Sequence, residues 1–84
     1  MTRKVFIYFR EKPTSAQIEE LRTLDVVMYL DSWIPPVGAH HNGFFLADVP
    51  KNARHMVAAK DFVSRVESAE RYLQPHKEIT LGEV

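Results

Sequence analysis

The sequence predicts an α+β domain, and three observations carry that reading. Lys4 to Arg10 reads Lys-Val-Phe-Ile-Tyr-Phe-Arg. Such a run, β-branched and aromatic, apolar on both faces and bounded by charge, suits a buried central strand. Thr14 and Gln17 have the spacing of a helix capping box. Phe44 to Val49 is a second β-rich run, opened by Asn42-Gly43 and stopped by Pro50.

The remaining elements follow in chain order. Glu11-Lys12-Pro13 is a turn, and Thr14 to Leu24 is a helix. Its Ile18, Leu21 and Leu24 form one apolar stripe, while Glu19, Glu20, Arg22 and Thr23 face water. A second strand is expected over Val26 to Leu30, with an extension to Ile34 open. Pro35-Pro36-Val37-Gly38 breaks the ladder, because proline has no backbone N–H to donate. The loop ends at Asn42-Gly43, and Phe44 to Val49 is the third strand.

The segment from Lys51 to Gln74 contains neither Gly nor Pro, and local pattern leaves it open. One reading is a single long helix, with Met56, Val63, Val66 and Leu73 near a helical repeat. The other is a short helix, Asn52 to Lys60, then a turn at Asp61-Phe62. A fourth strand would follow from Val63 to Glu67, with extended chain around Arg71 to Leu73. Ala53, Met56 and Val57 suit the short helix, although the residues from 64 to 71 favour helix by propensity. Four strands with two helices make the better-sealed domain, since both helices then cover one sheet face.

Composition bounds the function. The 84 residues hold 45% hydrophobic side chains, enough for one modest core and too apolar for a disordered chain. Basic and acidic residues number 11 each, and formal net charge is zero. That balance argues against nucleic acid as the main partner and gives no support to anionic membranes. No cysteine is present, so disulfides, thiolate metal sites and cysteine nucleophiles are excluded. Val5 to Phe9 is too short an apolar run for a signal peptide, and no stretch reaches transmembrane length. A cytoplasmic setting is the default expectation.

The order strand, helix, strand, strand, helix, strand is the ferredoxin-like βαββαβ pattern, a four-stranded antiparallel sheet with two helices on one face. Asn42-Gly43-Phe44, then Val49-Pro50, Ala53, Met56-Val57 and Val63-Ser64-Arg65-Val66-Glu67 resemble the second half of the subtilisin-propeptide, or I9 inhibitor, family. Val5 to Phe9, with Ile18, Glu19 and Leu21, resembles its first half. The likeness spans roughly residues 4 to 73 and favours the four-stranded reading of the open segment. The chain departs from the family pattern in several places. Gly43 to Pro50 is one residue longer, the Asp-Pro turn is replaced by Asp61 one position late without proline, and the loop Trp33 to His41 is longer. Residues 1–76 are then one domain and 77–84 a flexible C-terminal tail.

The resemblance implies a partner. Members of that family inhibit subtilisin-like serine proteases or assist their folding. The sheet face packs on the protease, and the C-terminal tail lies extended in the substrate cleft, a form of strand addition. Here the cleft residues are Tyr72 and Leu73 in one placement, and Ile79, Leu81 and Val84 in the other. Trp33, beside Pro35-Pro36, is either an interface anchor or the plug at one end of the core. A rival reading is a self-associating module, a homodimer formed through an open sheet edge or apolar face.

Catalytic and cofactor chemistry finds little footing, so neither a catalytic residue, a metal nor a cofactor is expected. His40 and His41 are adjacent and point apart on an extended loop, and His55 and His76 stand alone. Ser15, Ser32, Ser64 and Ser68 lie in no nucleophile elbow. Asp31 and Asp48 border strands, where carboxylates more often cap turns. Three glycines do not make a phosphate-binding loop. Phe6, Tyr8, Phe44 and Phe45 are rings of the kind that stack on bases in RNA-binding sheets, but basic side chains to accompany them are lacking.

The two readings of the open segment separate in solution. The four-stranded domain predicts extended backbone chemical shifts at Ser64 to Glu67; helical shifts there would mean one long helix.

Overall fold

The computed structural model describes residues 2–69. Its elements are β1 (Thr2–Phe9), α1 (Ser15–Arg22), β2 (Val27–Met28), β3 (Phe44–Pro50), α2 (Arg54–Ala58) and β4 (Val63–Ser68). The strands form one antiparallel sheet in the order β2-β3-β1-β4. This is the ferredoxin-like α+β arrangement expected from the sequence.

Strand alternation divides the two faces. Val5, Ile7 and Phe9 of β1 and Phe45, Ala47 and Val49 of β3 join the buried core with Leu21 of α1 and Val57 of α2. Val5, Ile7, Phe9, Leu21 and Val57 are wholly buried. The alternate residues Phe6, Tyr8, Phe44 and Leu46 lie on the other face.

Helix α1 starts as its sequence requires. The Thr14 hydroxyl accepts the Gln17 N–H at 3.2 Å, and the Gln17 side chain accepts the Thr14 N–H at 3.0 Å. The capping box therefore satisfies two donors that a helix start leaves unpaired. The helix ends at Arg22 rather than Leu24, because Asp25 turns left-handed (φ 63°) and reverses the chain. Aspartate is one of the few residues that tolerates that region.

Two further expectations need correction. The second strand is not Val26 to Leu30 but Val27–Met28, followed by a 3-10 turn at Leu30–Ser32. The cause is Ser32, whose hydroxyl accepts the Leu46 N–H at 2.9 Å and donates to the Tyr29 carbonyl at 2.5 Å. A side chain thus replaces a rung of the ladder; pairing resumes only at an isolated bridge between Ile34 and Phe44.

The short helix is a 3-10 turn (Lys51–Ala53) running into five residues of α-helix. Met56, expected inside, is exposed on its flank, because Ala53 and Val57, four residues apart, take the buried face.

The segment from 51 to 74 is not one helix. Val63 is buried opposite Phe9, and β4 pairs with β1 through Ser68. Burial of Val63 and the backbone ladder outweigh the helical propensity of residues 64 onward. The register slips between Tyr8 and Phe9 and leaves Ser64 as a β-bulge.

Gly43 carries the tightest constraint. Its φ is 108°, and a Cβ there would lie 2.0 Å from the Trp33 ring. Gly43→Ala should cost about 2–4 kcal/mol in urea unfolding, from backbone strain and displaced indole together. In a Trp33→Ala background the cost should fall, since the obstruction is gone. Equal costs in both backgrounds would show that the contact carries no strain.

Candidate functional site: the open sheet face

Among the described residues, the helices cover one sheet face only. The other is built from alternate residues of the two central strands and from β4. Register sets Tyr8 beside Phe44 and Arg65, Phe6 beside Leu46 and Glu67, and Lys4 beside Asp48. The centre is aromatic. Phe44 meets Tyr8 at 4.6 Å and Phe6 at 5.2 Å between ring centroids. The His41 ring stands edge-on to Phe44 at 5.0 Å and to Tyr8 at 5.9 Å. Such edge contacts match the ring quadrupoles.

Two charged groups frame this centre. On the β4 side, the Arg65 guanidinium lies 3.9 Å from the Tyr8 ring centroid and donates to Glu67 at 2.7 Å. Tyr8 is buried, with the guanidinium over its ring and Phe44 and His41 beside it. Burial is the main cause that raises the Tyr8 pKa, with Glu67 adding to it. The Glu67 hydrogen bond likewise raises that of Arg65.

On the β2 side, Lys4 Nζ donates to Asp48 Oδ1 at 2.9 Å and to the Tyr29 hydroxyl oxygen at 3.1 Å, and Tyr29 donates to Asp48 Oδ2. The Tyr29 and Lys4 hydrogen bonds hold the Asp48 carboxyl below its ordinary range. The bond to Asp48, then that to Tyr29, raises Lys4. Between the two charged groups, Phe6, Phe44 and Leu46 remain half-buried.

The residues singled out from sequence fall as follows. Trp33 is half-buried and packs on Phe45 at 4.8 Å, with Lys12 Nζ 6.0 Å above its ring. It closes one end of the core. Tyr72, Leu73, Ile79, Leu81 and Val84 lie outside the described residues, as do His76 and the tail at 77–84. Asp48 is held by Lys4 and Tyr29, and Asp31 is exposed in the 3-10 turn. Among the described residues, no three His, Cys, Asp or Glu side chains gather as metal ligands. None of the described helices is long and apolar enough to cross a membrane.

One further concavity, about 290 Å³, lies between α1 and β2, lined by Ile18, Arg22, Val26, Met28 and Leu30 among others. Its charged rim is closed on itself, with Arg22 paired to Glu19 at 2.8 Å.

The Lys4–Tyr29–Asp48 network was not visible in the sequence, since its members sit up to 44 positions apart. The alternation of Phe44, Leu46 and Asp48 with Phe45, Ala47 and Val49 was the available signal. Only the second set is uniformly apolar, so the first marks the open face.

Comparison with family models, with curated proteins and with solved structures found no match to this chain.

The network has a pH signature. A carboxyl held below its ordinary value of 3.8 stabilises the fold above that value, and the contribution is lost as pH falls through the lower folded value. Lys4 runs the other way: its raised value makes a contribution present below 10.5 and lost as pH climbs past it. Asp48→Asn should therefore lower the urea midpoint at pH 6, and the gap to the wild type should close on acidification below pH 3.8. A gap of constant size down to pH 2, about two units lower, would remove Asp48 from the acid response.

Proposed function

We propose that this chain is a protein-binding module without catalytic chemistry of its own, and that it docks on a subtilisin-like serine protease through the open sheet face. The supporting observation is the half-buried Phe44 and Leu46 between two charged groups whose members pair with each other. An apolar centre with a polar rim is the anatomy of a docking surface. Because each charge on the rim already has an opposite neighbour, a partner burying the centre leaves no charge there newly unpaired. The I9 resemblance supplies the partner class and the second contact, an extended C-terminal segment in the protease cleft.

A second copy of the chain is the rival occupant. Four strands at about 4.8 Å and six residues at about 3.3 Å give a face of roughly 400 Å². A standard interface takes about 800 Å² from each partner. Face-to-face pairing of two copies thus supplies about half of the usual area. A partner that also grips an extended segment makes up the difference, which favours the protease reading.

Titration against a subtilisin-type protease tests it, with the full chain, a copy truncated after Leu73 and a Leu46→Glu variant. The expected result is stoichiometric, slowly reversible inhibition, weakened at least about tenfold by either change, the usual effect of altering a residue at the centre of an interface. Absence of inhibition by the full chain at micromolar concentration would overturn the reading. A concentration-dependent dimer in sedimentation would then put the second copy in its place.

A further inference from the structure

We propose that His41 is a proton-operated latch, which in its neutral form ties the loop 35–42 to the open sheet face and on protonation lets it go. The Gly43 N–H donates to His41 Nδ1 at 2.9 Å. A nitrogen that accepts a hydrogen bond carries no proton, so this contact exists only for the neutral ring protonated at Nε2. Adding the second proton turns Nδ1 into a donor, and two N–H groups then face each other. The bond does not weaken gradually; it becomes a repulsion.

The loop has few other holds. Its ends meet at the Ile34–Phe44 bridge, where Ile34 N–H donates to the Phe44 carbonyl at 2.9 Å and the reverse bond measures 3.1 Å. Inside it, the His40 N–H to Val37 carbonyl bond (3.2 Å) is local and closes the Val37–His41 turn. Among the described residues, it is His41 that carries the loop back onto the sheet, through its bond to Gly43 and its ring contacts with Phe44 and Tyr8. Pro35, Pro36, Val37, Gly38, Ala39 and His40 are all exposed.

The described surroundings bring the ring no new acceptor. Tyr8 faces the ring from β1, and its own face is already occupied by the Arg65 guanidinium from β4, which Glu67 holds. Phe44 of β3 brings no charge. Lys12 stands over the Trp33 ring, and His40 is the neighbour in the chain. The described groups thus place no carboxylate in hydrogen-bond contact with His41 to take the place of the acceptor that protonation removes. The latch belongs to the fold and stands whether or not the open face receives a protease.

The test is amide exchange and ring titration by NMR on the full chain. As pH falls from about 8 to 5, the Gly43 protection factor should drop about five- to tenfold, the worth of one hydrogen bond. Its midpoint should coincide with that of the His41 ring protons in the same sample. His41→Asn sets an amide oxygen near the place of Nδ1, and should keep Gly43 protected with no pH dependence over that range. His41→Phe retains a ring but no acceptor, and should leave Gly43 at the low-pH value throughout. Gly43 protection that stays flat while the His41 ring titrates would overturn the proposal. So would a His41→Asn variant with the wild-type pH dependence.

Discussion

The indole of Trp33 rests on the bare Cα of Gly43, in space that any side chain would fill. That one contact registers several parts of the molecule at once. The Gly43 carbonyl accepts the Phe9 N–H at 3.0 Å, which ties the end of β1 to the start of β3. From there the pairing runs without a slip from Tyr8↔Phe44 to Thr2↔Pro50. The indole also meets Phe45, the first core residue of β3. A shift of one residue in β3 would exchange Phe45, Ala47 and Val49 with Phe44, Leu46 and Asp48, and would put a carboxylate in the core. The Gly43 seat therefore helps decide which face is buried and which stays open.

Local chemistry was legible where it was strong. The Thr14–Gln17 capping box, the two-sided run in β1 and the Asn42-Gly43 start of β3 all lay within a few residues of what they specify. Elements fixed by distant partners were less legible. β2 shrinks to Val27–Met28 because Ser32, fourteen positions from Leu46, takes over its rung. β4 competes with a helix of good propensity, and the decision rests on Val63 reaching Phe9 across 54 positions. The open face shows the same divide. Its rings were noted as aromatics, but their partition between faces needed the register, and the Lys4–Tyr29–Asp48 group needed the tertiary fold. Trp33 carried two readings of equal weight, and its packing on Gly43 and Phe45 supplies the core-closing role.

A four-stranded sheet whose described helices cover one face has two ways to associate, by edge or by face, and this molecule treats them differently. The β4 edge is guarded. Ser64 bulges out of the ladder, and Arg54 of α2 donates to the Val66 carbonyl at 3.3 Å. Alternation places that carbonyl on the outer side, because Ala69 N–H bonds inward to Lys4 and hydrogen-bonding residues alternate along the strand. A bulge and a charged side chain on an outer carbonyl are devices that keep strange strands away. The β2 edge is protected by brevity, with two paired residues before the chain turns off.

The centre of the face is built differently. Arg65 covers Tyr8, and Lys4 is drawn to Asp48 and Tyr29, while Phe44 and Leu46 stay half-buried. If the face served only as a solvated surface, polar side chains at Phe44 and Leu46 would cost the core nothing, since the core lies on the other side of the sheet. Apolar side chains there gain their full value only when something buries them. The contrast of guarded edges with a charge-balanced aromatic face fits the proposed association across the face rather than strand by strand along the edges. On the proposed docking reading, the loop 35–42 borders the face a partner would meet, and the His41 ring, lying against both Phe44 and Tyr8, joins the state of the loop to the shape of that face.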